Sequence, residues 1–350
     1  MVENEFYTEN VHGPLEYFPL GDFRLEEGGT IRGCRLAYST VGELSPKKDN
    51  AILFPHMYSG SSMHMRAFFV GPGRALDSEQ YFVILPNMLG NGLSASPHNA
   101  PPPFNGPSFP KLTIGDDVEA QYRLVTEKFG IDQLQLVLGW SMGAQQTYEW
   151  AVRHPEMVKR AAPIAGTARC TPHDRLFTEA VSEAIRSDPA WDGGWYTQPH
   201  AVHRGLRRHA HIFAMMGLCT EFYNDELWRK AGFTSFEDFL VGFWENWFIP
   251  MDPNNLLCML SKWQRGDVGK LENGDLAKAL GRIKARTTVI AYREDMFVPA
   301  RDCEREQRMI RESKLKVLPS LWGHFAPIGI FPEDKQALDD ILAELLATPA

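Results

Sequence analysis

Apolar residues along this chain fall into short, nearly unbroken runs that alternate with segments of helical period. Ala51-Ile52-Leu53-Phe54-Pro55, Tyr81-Phe82-Val83-Ile84-Leu85-Pro86, Leu134-Gln135-Leu136-Val137-Leu138 and Ala161-Ala162-Pro163-Ile164-Ala165 are such runs. Strands covered on both faces read this way, because neither side chain row meets water. Residues 23–25 and 34–38, separated by Gly28-Gly29, predict two strands joined by a glycine turn. Residues 113–129 predict a helix with Val118, Tyr122, Val125 and Phe129 on one face and Gly130 as its stop. Strand signals return at residues 287–292 and 315–319, and Leu338, Ile341, Leu342 and Leu345 share one face of a closing helix. Buried strands alternating with helices predict an α/β fold, a mostly parallel sheet flanked by helices.

The pattern breaks in the middle. From about residue 172 to 275 there are helical and aromatic segments but no buried strand, which predicts a helical lid inserted between two parts of the core, 1–171 and 276–350. Six of the nine tryptophans fall in it: Trp191, Trp195, Trp228, Trp244, Trp247 and Trp263. Ser235-Phe236-Glu237-Asp238 has the form of a capping box opening the helix that carries Phe239, Leu240, Phe243 and Trp247. These rings serve either as the insertion's own core or as the apolar wall of a substrate pocket, and different rings can do each.

Composition narrows the setting. A chain of 350 residues, 44% hydrophobic and 23% charged, has ample material for a globular core. Its net charge of -8 opposes binding to nucleic acid or to an anionic membrane. No apolar run approaches the roughly 18 residues of a membrane span. The acidic start Met1-Val2-Glu3-Asn4-Glu5-Phe6 lacks the basic and apolar regions of a signal peptide. Five cysteines, widely spaced and odd in number, predict reduced, buried thiols and a cytoplasmic protein.

The candidate chemistry begins at Gly139-Trp140-Ser141-Met142-Gly143, between a strand and the helix-forming Ala144-Gln145-Gln146-Thr147-Tyr148. A serine on a sharp strand-to-helix turn needs a strained backbone, and glycines two residues to either side remove side chains that would clash. Ser141 is therefore the candidate nucleophile, with the Met142 amide at the helix start as an oxyanion donor. A serine hydroxyl is a weak nucleophile and needs a base, held by an acid. Asp295, directly after the strand at 287–292, is the candidate acid, with Glu294 its competitor. His324, in the loop after the last strand, is the candidate base among eleven histidines. A second oxyanion donor is expected from the Tyr58 amide, in the loop after residues 51–55. The basic stretch His203-Arg204-Gly205-Leu206-Arg207-Arg208-His209-Ala210-His211 offers Arg207 or Arg208 to an acidic substrate, against the simpler reading of a solvated helix face. His209 and His211, two apart, leave a helix on different faces and make a poor metal site, and no metal or cofactor is expected.

Taken with His56-Met57-Tyr58-Ser59-Gly60, Gly71-Pro72-Gly73-Arg74-Ala75-Leu76-Asp77, Trp150-Ala151-Val152-Arg153-His154-Pro155, Asp295-Met296-Phe297-Val298-Pro299 and Gly323-His324, these residues give a chain that resembles the homoserine O-acetyltransferase branch of the α/β-hydrolase superfamily. The resemblance implies an α/β-hydrolase core with a helical lid, dimers formed through that lid, and ping-pong acyl transfer through Ser141 with Asp295 and His324. It also locates a departure. Members that acetylate homoserine carry an aspartate directly after the catalytic histidine, where this chain has Phe325. A phenyl ring offers a substrate ammonium no counter-charge, so the acceptor is expected to be water or an apolar alcohol.

Three functions follow. The first is a serine hydrolase acting through an acyl-Ser141 intermediate on a small or apolar ester, with Phe325 and Trp247 in its pocket. The second is an acyl-CoA-dependent O-acyltransferase that passes the same acyl group to a small alcohol. The third, a non-catalytic ligand-binding protein, is opposed by the intact Ser, Asp and His positions.

Overall fold

The computed structural model of the protein describes residues 4–198 and 200–349. Eight strands, β1 (Glu16–Arg24), β2 (Thr30–Val41), β3 (Ala51–Leu53), β4 (Phe82–Pro86), β5 (Leu136–Trp140), β6 (Arg160–Ile164), β7 (Arg286–Tyr292) and β8 (Ser313–Leu318), form one sheet. Their order is β1-β2-β4-β3-β5-β6-β7-β8. β1 and β2 pair antiparallel, as do β2 and β4, and all later neighbours are parallel. Every residue of β3, β4, β5 and β6 is buried, which is why these four read as unbroken apolar runs. β8 lies on an edge and carries Lys314 and Lys316, charges that discourage pairing with another chain.

The first hairpin is longer than its apolar residues predict, with β1 starting at Glu16. Pro19 and Gly21 hide the strand from a reading of alternation. In the structure the pairing register shifts on either side of Gly21, whose φ is +67°. Pro19 sits on the edge strand, where a missing N–H breaks no ladder.

The helices that matter for the site are α1 (Ser62–Phe69), α2 (Ile114–Arg123), α3 (Met142–Arg153), α4 (Pro172–Arg186), α5 (His203–Gly217), α6 (Pro253–Gln264), α7 (Ala300–Gln307) and α8 (Pro332–Ala347). Thr113 caps α2 with a capping box, a π-helical turn over Leu124–Lys128 continues it, and Gly130 at φ +61° ends the run. Ser235 caps the turn Phe236–Phe239 by accepting the Asp238 amide.

Between β6 and β7 the described residues form helices and turns and no strand. The two ends of this insertion meet in a bridge between Arg169 and Asp267, where the arginine Nε donates to the carboxylate at 2.8 Å. A buried ion pair ties the insertion to the core: Lys262 Nζ on α6 lies 2.5 Å from Asp117 Oδ2 on α2, both side chains fully enclosed. The remaining polar atoms of the pair are satisfied, with Lys262 donating to the Leu89 carbonyl at 2.7 Å and Asp117 Oδ1 accepting the Leu89 amide at 2.8 Å. A charge pair out of water persists only when its atoms are matched in this way. The tryptophans divide as the two readings allowed: Trp228 and Trp244 are buried, Trp195 is 51% exposed, and Trp247 and Trp263 face a cavity at Ser141. Among the described residues no helix is long and apolar enough to cross a membrane.

Candidate active site

β5 delivers Ser141 to a turn with φ 58° and ψ -118°, a region that non-glycine residues rarely occupy. Two bonds hold it: the Ser141 amide donates to the Ile164 carbonyl of β6 at 2.8 Å, and the Ala144 amide donates to the Ser141 carbonyl at 2.8 Å. The glycine requirement is steric. A Cβ on Gly139 would lie 2.2 Å from the Gly143 oxygen, and one on Gly143 would lie 2.5 Å from the Pro55 oxygen.

The loops after β7 and β8 bring two more side chains to the serine. His324 Nε2 lies 2.8 Å from Ser141 Oγ, and His324 Nδ1 lies 2.7 Å from Asp295 Oδ2. All three residues are buried. Asp295 Oδ1 accepts the amides of Phe297 and Val298 at 2.8 and 2.9 Å, so both carboxylate oxygens are engaged and the side chain cannot turn. A carboxylate facing Nδ1 puts the neutral ring's proton there and leaves Nε2 free to accept the serine proton. The Trp140 indole donates to the His324 carbonyl at 3.0 Å and steadies its backbone. Glu294 is directed elsewhere, accepting the Ser320 amide at 2.7 Å and holding the start of the histidine loop.

The expected oxyanion donors are the Tyr58 and Met142 amides. Neither the Tyr58 nor the Met142 amide donates to another group among the described residues, and Tyr58 lines the cavity that holds Ser141. His56, which the sequence reading left without a role, holds this loop. Its Nε2 accepts the Met88 amide at 2.9 Å, so its Nδ1 carries the proton and donates to the Met57 carbonyl at 2.7 Å. Burial pushes the His56 pKa down to about 3, which keeps the ring neutral. In a trans peptide the carbonyl and the following N–H point in opposite directions, so fixing the Met57 oxygen also fixes the Tyr58 N–H.

The cavity at Ser141 measures about 20 Å³. Its walls are Trp140, Phe213, Trp247, Trp263, Phe297 and Phe325, with no carboxylate, ammonium or guanidinium group among the lining residues. Trp247 and Phe325, expected in the pocket, are both among the lining residues. Phe325 packs edge-on against Trp140 and Trp244, with ring centroids 5.7 and 4.9 Å apart. Arg207 is not in the pocket. Its side chain is 47% exposed and pairs with Glu245, which also meets His211 Nε2 at 2.8 Å. Arg207 and His211, four apart on α5, share Glu245, a buried carboxylate, so in place of a substrate-binding arginine the structure has a half-exposed ion pair within the insertion. Phe213 and Phe297 were missed. Phe297 stands two residues past the acid, where position alone could have flagged it, but nothing local marks Phe213. Larger hollows of about 200 and 290 Å³ lie beside the segment around Pro97 and Gly106 and include none of Ser141, Asp295 or His324. Among the described residues no group of three or more His, Cys, Asp or Glu side chains is placed to hold a metal ion.

A nucleophile elbow above a mostly parallel sheet, with acid and histidine on the loops after β7 and β8, defines a serine hydrolase. Residues 50–329 match the family described as alpha/beta hydrolase fold, and the chain belongs to that family. It is 51% identical to the ethyl acetate hydrolase of Pseudomonas veronii over 99% of both chains. The crystal structure of an acetylester hydrolase from Corynebacterium glutamicum has a TM-score of 0.98 at 48% identity, with 99% of this chain and 100% of that one covered. Homoserine O-acetyltransferases stand further off, that of Leptospira biflexa being 31% identical over 92% of this chain and 90% of its own. The chain is a serine esterase of the α/β-hydrolase family, and its likeness to the transferases is the more remote one.

Proposed function

We propose that the protein hydrolyses acetate esters of small alcohols through an acetyl-Ser141 intermediate. The Ser141–His324–Asp295 hydrogen-bond line carries this reading. Ser141 Oγ attacks the ester carbonyl carbon while His324 Nε2 takes the serine proton, and Asp295 stabilises the resulting imidazolium. The tetrahedral oxyanion is met by the Tyr58 and Met142 amides. When the bond to the alcohol oxygen breaks, His324 returns the proton to the leaving alcohol. Water then repeats the sequence, with His324 as base, and releases acetate and free Ser141.

Acyl length follows from space. The cavity is small and walled by bulky rings, which suits a short acyl group better than a long one. The absence of charged groups from its lining disfavours an amino-acid acceptor, whose ammonium and carboxylate would lose their hydration without partners. The names of the two most similar relatives above, an ethyl acetate hydrolase and an acetylester hydrolase, support the same substrate class.

The test uses purified protein with ethyl acetate and with nitrophenyl acetate, butyrate and hexanoate, and separately with acetyl-CoA plus a panel of alcohols. Turnover that falls steeply beyond acetate and is abolished in Ser141→Ala, without CoA release, is the expected result. CoA release that requires an alcohol points to the transferase instead. Failure of a fluorophosphonate to label Ser141 overturns the catalytic reading.

A further inference from the structure

Two residues of the oxyanion loop make side-chain contacts with the helical insertion. Tyr58 is the first. Its ring stacks on Phe213 of α5 with centroids 5.4 Å apart and planes 9° from parallel, and lies near Phe248 and Trp263 of the insertion at 6.4 and 6.0 Å. Its hydroxyl meets a single partner, His209 Nε2 of α5, at 3.3 Å. His209 is fully buried, and its Nδ1 lies 3.1 Å from the Val181 carbonyl of α4. A carbonyl can only accept, so Nδ1 carries the proton, Nε2 is the acceptor, and the Tyr58 hydroxyl donates to it. Burial pushes the His209 pKa down to about 4, so this neutral form persists at physiological pH.

Ser59 is the second. Its φ of 56° places a non-glycine residue in the left-handed region, a conformation that costs of order 1–3 kcal/mol and persists only where the surroundings enforce it. The turn is closed within the loop by the Gly60 amide donating to the Met57 carbonyl at 3.1 Å, and the insertion adds a side-chain contact, the Trp247 indole donating to Ser59 Oγ at 2.9 Å. The loop that presents the Tyr58 amide is thus gripped from two separate lid segments, one on each of two successive residues. The same insertion also supplies Phe213, Trp247 and Trp263 to the wall of the cavity at Ser141.

We infer that the lid completes the oxyanion hole: His209, through the Tyr58 hydroxyl, and Trp247, through Ser59, are positioning residues for the Tyr58 amide. The core holds the Met57–Tyr58 peptide through His56, and the lid adds its grip on the Tyr58 and Ser59 side chains, so the precise aim of the amide depends on both. His209 touches no reacting atom and acts through Tyr58 alone.

This rests on the reading of Ser141 as nucleophile, and the experiment separates the two. Active sites are first titrated with a fluorophosphonate in the wild type and in Tyr58→Phe, His209→Leu, His209→Gln and the Tyr58→Phe/His209→Leu double variant. A wild type that takes no label sinks the nucleophile, not the positioning by the lid. Tyr58→Phe keeps the amide and the stacked ring and removes only the hydroxyl. Per titrated site, kcat on nitrophenyl acetate is expected to fall about tenfold or more, short of the 10²- to 10³-fold of losing a donor outright, with KM nearly unchanged. Affinity for trifluoroacetone, whose adduct with Ser141 carries an oxyanion, should fall in parallel. His209→Leu should match Tyr58→Phe, the double variant should be no worse than either, and His209→Gln, which restores an acceptor, should recover part of the loss. A kcat per titrated site that stays within about twofold of wild type in Tyr58→Phe, or losses that multiply in the double variant, overturns the inference. So does a loss confined to KM. Should His209→Leu not fold, Tyr58→Phe decides alone.

Discussion

Asp295→Asn exchanges one oxygen for an NH₂ group and leaves the shape of the triad intact, yet the structure predicts a large loss. Asp295 Oδ1 accepts two amides, from Phe297 and Val298, while Oδ2 faces His324 Nδ1. An asparagine has one oxygen to place. Turned toward the histidine, it would set its NH₂ against two N–H donors and forfeit both bonds, each worth about 0.5–1.5 kcal/mol or more in a buried site. The amide therefore keeps its oxygen on the loop and directs its NH₂ at His324. The imidazole must then accept at Nδ1 and carry its proton on Nε2, where it faces Ser141 Oγ and cannot take the serine proton. A histidine held in the wrong tautomer costs about 10⁴-fold in kcat, equivalent to about 5.5 kcal/mol of transition-state stabilisation. The assay is nitrophenyl acetate hydrolysis across pH, with KM and the thermal midpoint measured on the same preparation. Near-normal KM and melting with kcat down about 10⁴-fold is the expected result. A loss of tenfold or less would show that the two loop amides do not dictate the orientation of residue 295, and the argument would fail.

Lys262→Met leaves Asp117 buried without its counter-charge and should destabilise the protein by about 3–5 kcal/mol in denaturant unfolding. That cost should shrink as pH falls and Asp117 takes up a proton, and an equal cost at pH 8 and pH 5 would contradict the buried-charge account. Glu306, on α7, is a buried carboxyl whose pKa is raised by desolvation from the ordinary value near 4.5 to about 8, although it accepts the amides of Ala168 and Arg169. The folded state then binds the proton more tightly than the unfolded one. The associated stability, on the order of a few kcal/mol, is fully present below pH 4.5 and is lost as pH rises to about 8. Glu306→Gln, neutral throughout, should flatten the decline in thermal midpoint over that window, and an unchanged slope would show that another group is responsible.

Local chemistry sufficed for much of this protein. The unbroken apolar runs at 51–55, 81–86, 134–138 and 161–165 announce strands covered on both faces, and all four are central in the sheet. Glycines two residues on either side of Ser141 announce a turn that no Cβ could enter, and the distances at Gly139 and Gly143 show why. Asp295 and His324 were legible because each follows a strand directly, so that sequence position stands in for place at the sheet edge. What stayed hidden depends on contacts between segments remote in the chain. The basic stretch at Arg207 reads either as a substrate anchor or as a solvated helix face, and the choice turns on Glu245, thirty-eight residues on, which pairs with Arg207. His56 and His209 carried no signal of their own, since the role of each is set by the partners on either side of its ring. Helical period shows that the insertion is helical but not which of its rings face Ser141, because facing is decided by how α4, α5 and α6 pack on the core. Most of the strands and helices and the elbow at Ser141 could be read from residues alone, because they rest on steric and chemical requirements a few residues long. Only the tertiary structure decided the size of the cavity, its uncharged lining and the lid's grip on Tyr58 and Ser59, which arise where distant segments meet.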